Sequence, residues 1–358
     1  MKLIDRYIIR KFLGTFFYAI TLIITIAIIF DISEKIDEFI EKKAPFKAIV
    51  FDYYFNFIPF FVNLFAPLFT FIAVIFFTSR MAFNTEIVAI LTGGVSFRRL
   101  LLPYMLAASV IAAMSLYLNH YVIPHANAAR IKFELTYVRP RYRISAVNIH
   151  GQIKPGEYFY AEDFNNFDNI ASKFSLELIS DGVLKRKLLA NTARYDSATA
   201  KWQLTQYFIR DIKGMKEQIK LGEKLDTVLS LTPRDFGTRS QSTEMMNRPE
   251  LMAFIAREKI KGNDEVPFYE LEHYRRTSLP FATFILTLIG VAISSRKVRG
   301  GIGLHIGLGL LLSFSYILFM QITNTFSTNS NLPALVAVWI PNALYMLIAL
   351  VLLRRAPK

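Results

Sequence analysis

The sequence predicts a polytopic α-helical membrane protein: six transmembrane helices, three before and three after an inserted β-jelly-roll-like domain. Three observations carry this. First, the 358 residues are 53% hydrophobic, with 32 Phe and 17 Tyr, above the usual apolar share of a water-soluble domain. Second, the apolar residues gather into uncharged runs near the about 20 residues that a helix needs to cross a bilayer. Third, residues 126–270 break that pattern with dense charge and alternating apolar positions.

The chain opens on an amphipathic segment, Met1–Lys11, whose Leu3, Ile4, Tyr7 and Ile8 fall at helical spacing. Lys2, Arg6, Arg10 and Lys11 suit lipid headgroups. Phe12–Phe30 has no charge and predicts the first span. The segment after it carries Asp31, Glu34, Asp37, Glu38 and Glu41 among lysines, so the basic side, and the N-terminus, is expected to be cytoplasmic. Tyr53–Ser79 predicts the second span. Its Pro59 and Pro67 remove backbone donors, so a kink is expected, either as a hinge or as a bend without mechanical role.

Arg80–Arg99 then interrupts the apolar pattern. It holds one acidic residue, Glu86, in a stretch T-E-I-V-A-I-L that makes about two helical turns before Gly93-Gly94 stops it. Such a stretch reads as a lever for a soluble partner or as an ordinary connector between spans. Leu100–Tyr121 predicts the third span, leaving at Val122–His125. Domain boundaries are therefore drawn at 1–125, 126–270 and 271–358.

In the middle segment, the alternation in Lys173–Ile179, Lys187–Tyr195, Trp202–Ile209 and Asp226–Leu231 predicts strands. Leu188–Tyr195 and Lys201–Ile212, divided by Asp196–Ala200, predict a hairpin. Parity with a cytoplasmic N-terminus puts this domain outside the cytoplasm. Pro249–Lys261 reads as helical. Thr277–Ser295 predicts the fourth span. No charged residue occurs from Gly300 to Leu353, and the polar patch Thr323–Asn331 divides that stretch into a fifth span (Gly301–Gln321) and a sixth (Pro333–Leu353).

Composition also limits chemistry. The net charge of +14 does not call for nucleic acid. The insert has 23 basic and 19 acidic residues, and the remainder has 19 basic and 9 acidic, mostly flanking apolar runs. Without cysteine, disulfide and thiolate chemistry are excluded. No G-x-x-x-x-G-K-[ST], H-E-x-x-H or G-x-S-x-G occurs, so neither a P-loop nor those hydrolase centres are expected, and no catalytic residue or metal site is assigned. His120 and His125 at a membrane exit read as a metal pair or as interfacial histidines. Spans free of charge, apart from His305, disfavour an ion-coupled carrier. They suit a large amphipathic substrate, with Lys35, Arg130 and Lys132 as candidate lipid-phosphate ligands at the rim. Arg139, Arg141 and Arg143 form a second basic set. Each set also reads as solvated surface charge.

In order and topology, several short words then coincide with one family. They are I-D-R-Y-I-I-R-K-F (Ile4–Phe12), T-E-I-V-A-I-L-T-G-G-V-S (Thr85–Ser96) and Y-V-I-P (Tyr121–Pro124). The others are A-R-Y-D…K-W-Q-L (Ala193–Leu204), R-P-E-L (Arg248–Leu251) and Y-E-L-E-H-Y-R-R-T-S-L-P-F (Tyr269–Phe281). The chain resembles the lipopolysaccharide-export permeases of the LptF/LptG (YjgP/YjgQ) family along its whole length. That resemblance implies one half of an ATP-binding-cassette exporter in the bacterial inner membrane. Its partners would be a second such permease, a cytoplasmic ATPase dimer that holds ATP and magnesium, and periplasmic jelly-roll bridge proteins. The cargo would be lipopolysaccharide, and this chain would hold no cofactor. By position, Glu86 would lie on the coupling helix, Ala89 and Ile90 would face the ATPase groove, and Gly93 and Gly94 would end the helix. One departure is Asp31, which stands where the family's first span can carry a basic residue, with Lys35 one turn on. Rival readings are a permease for another lipid or lipoprotein, and a membrane receptor or scaffold whose β-domain binds a periplasmic ligand.

Overall fold

The computed structural model describes residues 2–138, 147–165, 168–236, 240–263, 265–296, 301–330 and 332–356. Arg139, Arg141 and Arg143 lie outside the described residues. The chain divides into two units. One comprises residues 1–138, 244–249 and 267–358; the other comprises residues 139–243 and 250–266.

In the helical unit, α1 (Leu3–Glu41) merges the amphipathic start and the first span into one helix of 39 residues. At about 1.5 Å per residue it measures about 58 Å, roughly twice the hydrocarbon thickness, so its polar ends project beyond the apolar core. Nothing in Met1–Phe30 breaks it: there is no proline, and the one glycine, Gly14, is helical. Ile8, Phe12, Phe16, Ile20 and Ile24 recur at every fourth position and are all buried, forming the inward stripe of α1. Helix α2 (Phe46–Phe83) is continuous through Pro59 and Pro67, with π-helical turns at Ile49–Tyr54. Helix α3 (Glu86–Thr92) is the short helix of the loop, and α4 (Phe97–Tyr137) starts under a Ser96 cap whose hydroxyl accepts from the Arg99 N–H at 3.3 Å.

Helix α4 runs past the expected third span, with a π-helical stretch at Leu118–Val122. Ala126–Tyr137 thus continues the helix rather than opening the β-domain. Helix α5 (Arg248–Lys261) lies mostly in the other unit, and α6 (Val266–Ser294), α7 (Gly301–Asn329) and α8 (Ala334–Arg354) follow it. Among the described residues, six helices are long and apolar enough to cross a membrane. The polar patch expected to end the fifth span stays helical to Asn329. Its hydroxyls donate back to carbonyls of the preceding turn, Thr323 to Met320 and Thr325 to Gln321, both at 3.0 Å, so they do not compete with the helix.

The buried stripe of α1 packs on Val74, Phe77 and Met81 of α2 and on Tyr104, Ala107 and Ile111 of α4. Within that core, the Thr78 and Tyr104 hydroxyls are 3.0 Å apart and bonded. A second core joins Phe71 and Ile75 to Ile285 and Ile289 of α6 and to Tyr316 and Tyr345. Gly290 permits this approach: a Cβ there would lie 2.8 Å from Val74 Cγ1. The outside carries exposed Tyr18, Phe30, Phe314 and Leu347, as expected of a surface that faces lipid.

The other unit is built on one six-stranded antiparallel sheet in consecutive order: β1 (Val147–Lys154), β2 (Glu157–Asn165), β3 (Ile170–Ser180), β4 (Val183–Asp196), β5 (Lys201–Lys213) and β6 (Lys216–Thr227). The β-domain is inserted between helices as expected, and its strand order is that of a meander. The expected hairpin is present, closing at Asp196 opposite Lys201. Asp196 shapes its turn by accepting from the Ala198 N–H at 3.0 Å and the Thr199 hydroxyl at 2.7 Å. One face of the sheet buries Phe159, Phe164, Phe174 and Trp202 beneath Leu231 and Phe236, and the Trp202 indole donates to the Leu231 carbonyl at 2.8 Å. Beyond Thr227 the expected strand Asp226–Leu231 gives way to this covering segment.

Candidate functional site

The loop between α2 and α4 is held in shape by its own backbone. Thr85 has φ +61°, turning the chain sharply before α3. At the other end, Gly94 has φ +85°; its N–H donates to the Leu91 carbonyl at 3.1 Å, and the Val95 N–H donates to the Ile90 carbonyl at 3.3 Å. This pair of bonds is a Schellman termination, which a left-handed residue at the Gly94 position requires.

The seven residues of α3 present two faces. Ile87 is 1% exposed, and the half-buried Ile90 and Leu91 pack on the same core. On the outer face Val88 is 53% exposed and Phe83, just before the helix, 56%; Ala89, Thr92 and Gly93 are exposed with them. Of the sequence-derived coupling residues, Ala89, Gly93 and Gly94 therefore lie outside. Ile90 leans toward the core, and Val88 offers the exposed aliphatic side chain.

Two contacts from the start of α1 fix this loop. The Arg99 guanidinium donates through two nitrogens to the Asp5 carboxylate, at 2.8 and 2.7 Å. Asp5 is buried and also accepts from the Lys2 backbone N–H at 2.9 Å. Two residues on, the Tyr7 hydroxyl donates to Glu86 Oε2 at 3.0 Å, while Asn84 donates to Oε1 at 3.3 Å. A bidentate charge-assisted pair resists sliding as well as separation. The two contacts tie α3, through Glu86, and the start of α4, through Arg99, to the first turns of α1. In the sequence Asp5 is not singled out, Tyr7 reads only as an apolar position of the amphipathic start, and Arg99 only as the end of the loop. The signal was one acidic residue inside a segment of four cations.

A second feature lies among α2, α4, α6 and α7, where a cavity of about 440 Å³ opens. Its walls include Phe60, Leu64, Leu279, Phe314 and Ile317. At its polar part, Arg276 donates to Glu272 at 3.1 Å and to the Met246 carbonyl at 2.7 Å, and Arg275 donates to Glu272 at 2.6 Å. Asn63 donates to Asn119 at 2.9 Å. The Glu244 carboxyl is pushed up by burial and by the neighbouring Glu272 charge, against the pull of Arg130, Arg275 and Arg276. Two buried lining groups, Asn127 Oδ1 and Ser313 Oγ, have no hydrogen-bond partner among the described residues. An apolar chamber with guanidinium groups, an orphaned amide oxygen and an orphaned hydroxyl suits one chain of an amphipathic molecule and its polar head.

The candidate phosphate ligands fall in three different settings. Arg130 lies over the Phe60 ring, 4.9 Å from its centroid, and 3.9 Å from Glu244, beside the cavity. Lys35 is bound to Asp31 and to the Tyr53 hydroxyl, and Tyr54 donates to the same carboxylate at 3.1 Å. Its charge is thus matched within the chain, and the Asp31 departure has a structural partner. Lys132 is exposed. His125 Nδ1 is hydrogen-bonded to the Tyr121 carbonyl at 2.9 Å.

Residues 6–355 match the family model described as lipopolysaccharide export system permease LptF/LptG. The chain is similar to lipopolysaccharide export system permease protein LptG of Escherichia coli strain K12, with 20% identity over 306 residues, 82% of each chain. It has the same identity and coverage with LptG of Escherichia coli O6:H1.

Proposed function

Because the chain belongs to the LptF/LptG family of lipopolysaccharide export permeases, we propose that it is one half of an ATP-driven exporter. In this reading it draws lipopolysaccharide from the inner membrane and passes it to a periplasmic bridge toward the outer membrane. Hydrolysis of ATP with magnesium belongs to a separate cytoplasmic ATPase dimer, and a second permease of the same family completes the pathway. The N- and C-termini are cytoplasmic and the β-domain periplasmic.

The observation that carries the reading is the two-faced helix α3. Its inner face is anchored by Ile87, its outer face is apolar and exposed at Val88, with exposed Phe83 just before it, and its carboxylate Glu86 is reached by a hydroxyl of α1. A soluble ATPase that docks on the outer face and pairs a cation with Glu86 would move α1 through Tyr7 and through Asp5–Arg99. Since α1 packs on α2 and α4 along its length, that motion reaches the membrane core. The cavity at Arg275 and Arg276 is where an acyl chain of the cargo would lodge, with Arg130 beside it.

The test is purification from native membranes in mild detergent, with mass spectrometry of what remains bound. Wild type should retain a P-loop ATPase and a second six-span permease, and Glu86→Lys should lose the ATPase while keeping the permease. A protein isolated with neither partner would overturn the reading and favour a receptor or scaffold.

A further inference from the structure

The outer surface of α1 and α2 forms an open groove of about 560 Å³, of which the coupling reading uses only Tyr7. Its α1 side runs Tyr7, Arg10 with Lys11, Gly14 and Tyr18, a spacing of three or four that keeps these residues on one helical face. Phe76 of α2 forms the opposite wall. The groove spans the boundary at which the charged start of α1 meets its uncharged run from Phe12. That is the depth of lipid phosphates. A Cβ on Gly14 would meet nothing within 4 Å, so the centre of the groove is open space.

The lining is cationic and holds no carboxylate. Arg10 and Lys11 form no ion pair among the described residues, and Lys11 is 5.8 Å from the centroid of the Tyr7 ring. The Tyr7 hydrogen is given to Glu86 and that of Thr15 to the Lys11 carbonyl. The remaining donors are the guanidinium, the ammonium and the Tyr18 hydroxyl. Arg and Lys side by side match the oxygens of a phosphate diester. Exposed Tyr18 and Phe76 continue the groove toward the apolar zone, where an acyl chain belongs.

We propose that this groove is a binding site for an anionic glycerophospholipid, its phosphate held by Arg10 and Lys11 and one acyl chain lying past Gly14 between Tyr18 and Phe76. The site stands independently of which cargo the protein exports.

The experiment is native mass spectrometry of the full-length protein equilibrated with vesicles of equal phosphatidylglycerol and phosphatidylcholine. Taking about a fivefold preference for anionic lipid per cation near a membrane surface, Arg10→Ala with Lys11→Ala should lower the retained phosphatidylglycerol ratio about 25-fold. Lys2→Ala with Arg6→Ala removes the same charge outside the groove, so it measures general surface charge and should lower the ratio far less. Gly14→Leu fills the groove without altering charge and should lower the ratio even if the Arg10/Lys11 variant fails to fold. Equal losses in the two double variants would reduce the effect to general surface charge and overturn the site, as would an unaltered ratio in Gly14→Leu.

Discussion

Ile87 and Val88 are neighbours on one seven-residue helix, and they should respond to truncation in opposite ways. Ile87 is 1% exposed and belongs to the main helical core, whereas Val88 is 53% exposed. Cutting a buried Ile to Ala removes its transfer free energy and leaves a cavity, which costs about 2–5 kcal/mol. A helix this short has too few internal bonds to persist without docking. The cost of Ile87→Ala should therefore appear as local opening of the loop. The amides that report it are Gly93, bonded to the Ala89 carbonyl at 3.0 Å, and Val95, bonded to the Ile90 carbonyl at 3.3 Å. At the low end, about 2 kcal/mol corresponds to about a 30-fold loss of exchange protection at these amides. Val88→Ala should change protection by less than about twofold, since surface truncations stay within about 0.5 kcal/mol. Hydrogen exchange with mass spectrometry resolves these cases. Unaltered protection in Ile87→Ala, or equal losses in both variants, would refute the two-faced account of α3.

Reversing the Asp5–Arg99 pair tests the link from loop to α1. Asp5→Arg or Arg99→Asp alone should raise exchange at Lys2–Tyr7 and in the loop together, and the double reversal should restore both; no rescue would show that the pair does not join them. In the β-domain, burial alone would raise the Asp235 carboxyl, but Lys261 at 2.6 Å and the Thr232 N–H at 2.7 Å hold it below its usual range. Burial lowers Lys261, yet Asp235 and Glu258 carry it above its usual range. The Asp235 contribution to stability is complete above the ordinary carboxylate pKa and is lost as pH falls through its depressed value. The Lys261 contribution is complete below the ordinary lysine pKa and is lost as pH rises through its elevated value. Lys261→Met should flatten the melting temperature against pH at both extremes, and an unchanged profile would contradict the assignment. Trp202→Phe removes the donor to the buried Leu231 carbonyl and should cost about 1–3 kcal/mol in thermal or denaturant unfolding of the β-domain. No loss would mean that water replaces the indole.

The spans, the inserted β-domain and the short helix were legible because their signals are local. Uncharged runs of membrane length, alternation around Asp196–Ala200, and a Gly pair after T-E-I-V-A-I-L each act within a few residues. What stayed hidden depends on partners far along the chain. Asp5 and Arg99 are 94 residues apart, Tyr7 and Glu86 are 79 apart, and no spacing rule joins them. Strand β6 escaped because its charged K-E-Q-I-K-L-G-E-K run is largely exposed at the sheet edge, so burial imposes no clean alternation. Thr323–Asn329 resembled a loop because Ser, Thr and Asn favour turns, but back-bonded hydroxyls let them remain in α7. Lys35 looked like a rim cation because Asp31, one helical turn away, was read as a departure rather than as its counter-ion.

Cross-linking within native membranes tests the central claim most directly. A photoreactive residue at Val88 should capture an ATP-binding subunit, and the adduct should weaken when Glu86 is changed to Lys. The same probe at Lys132, remote in sequence from the loop, should capture none. If Val88 yields no ATP-binding subunit, or if Glu86→Lys leaves the adduct unchanged, α3 is a connector and the coupling account fails.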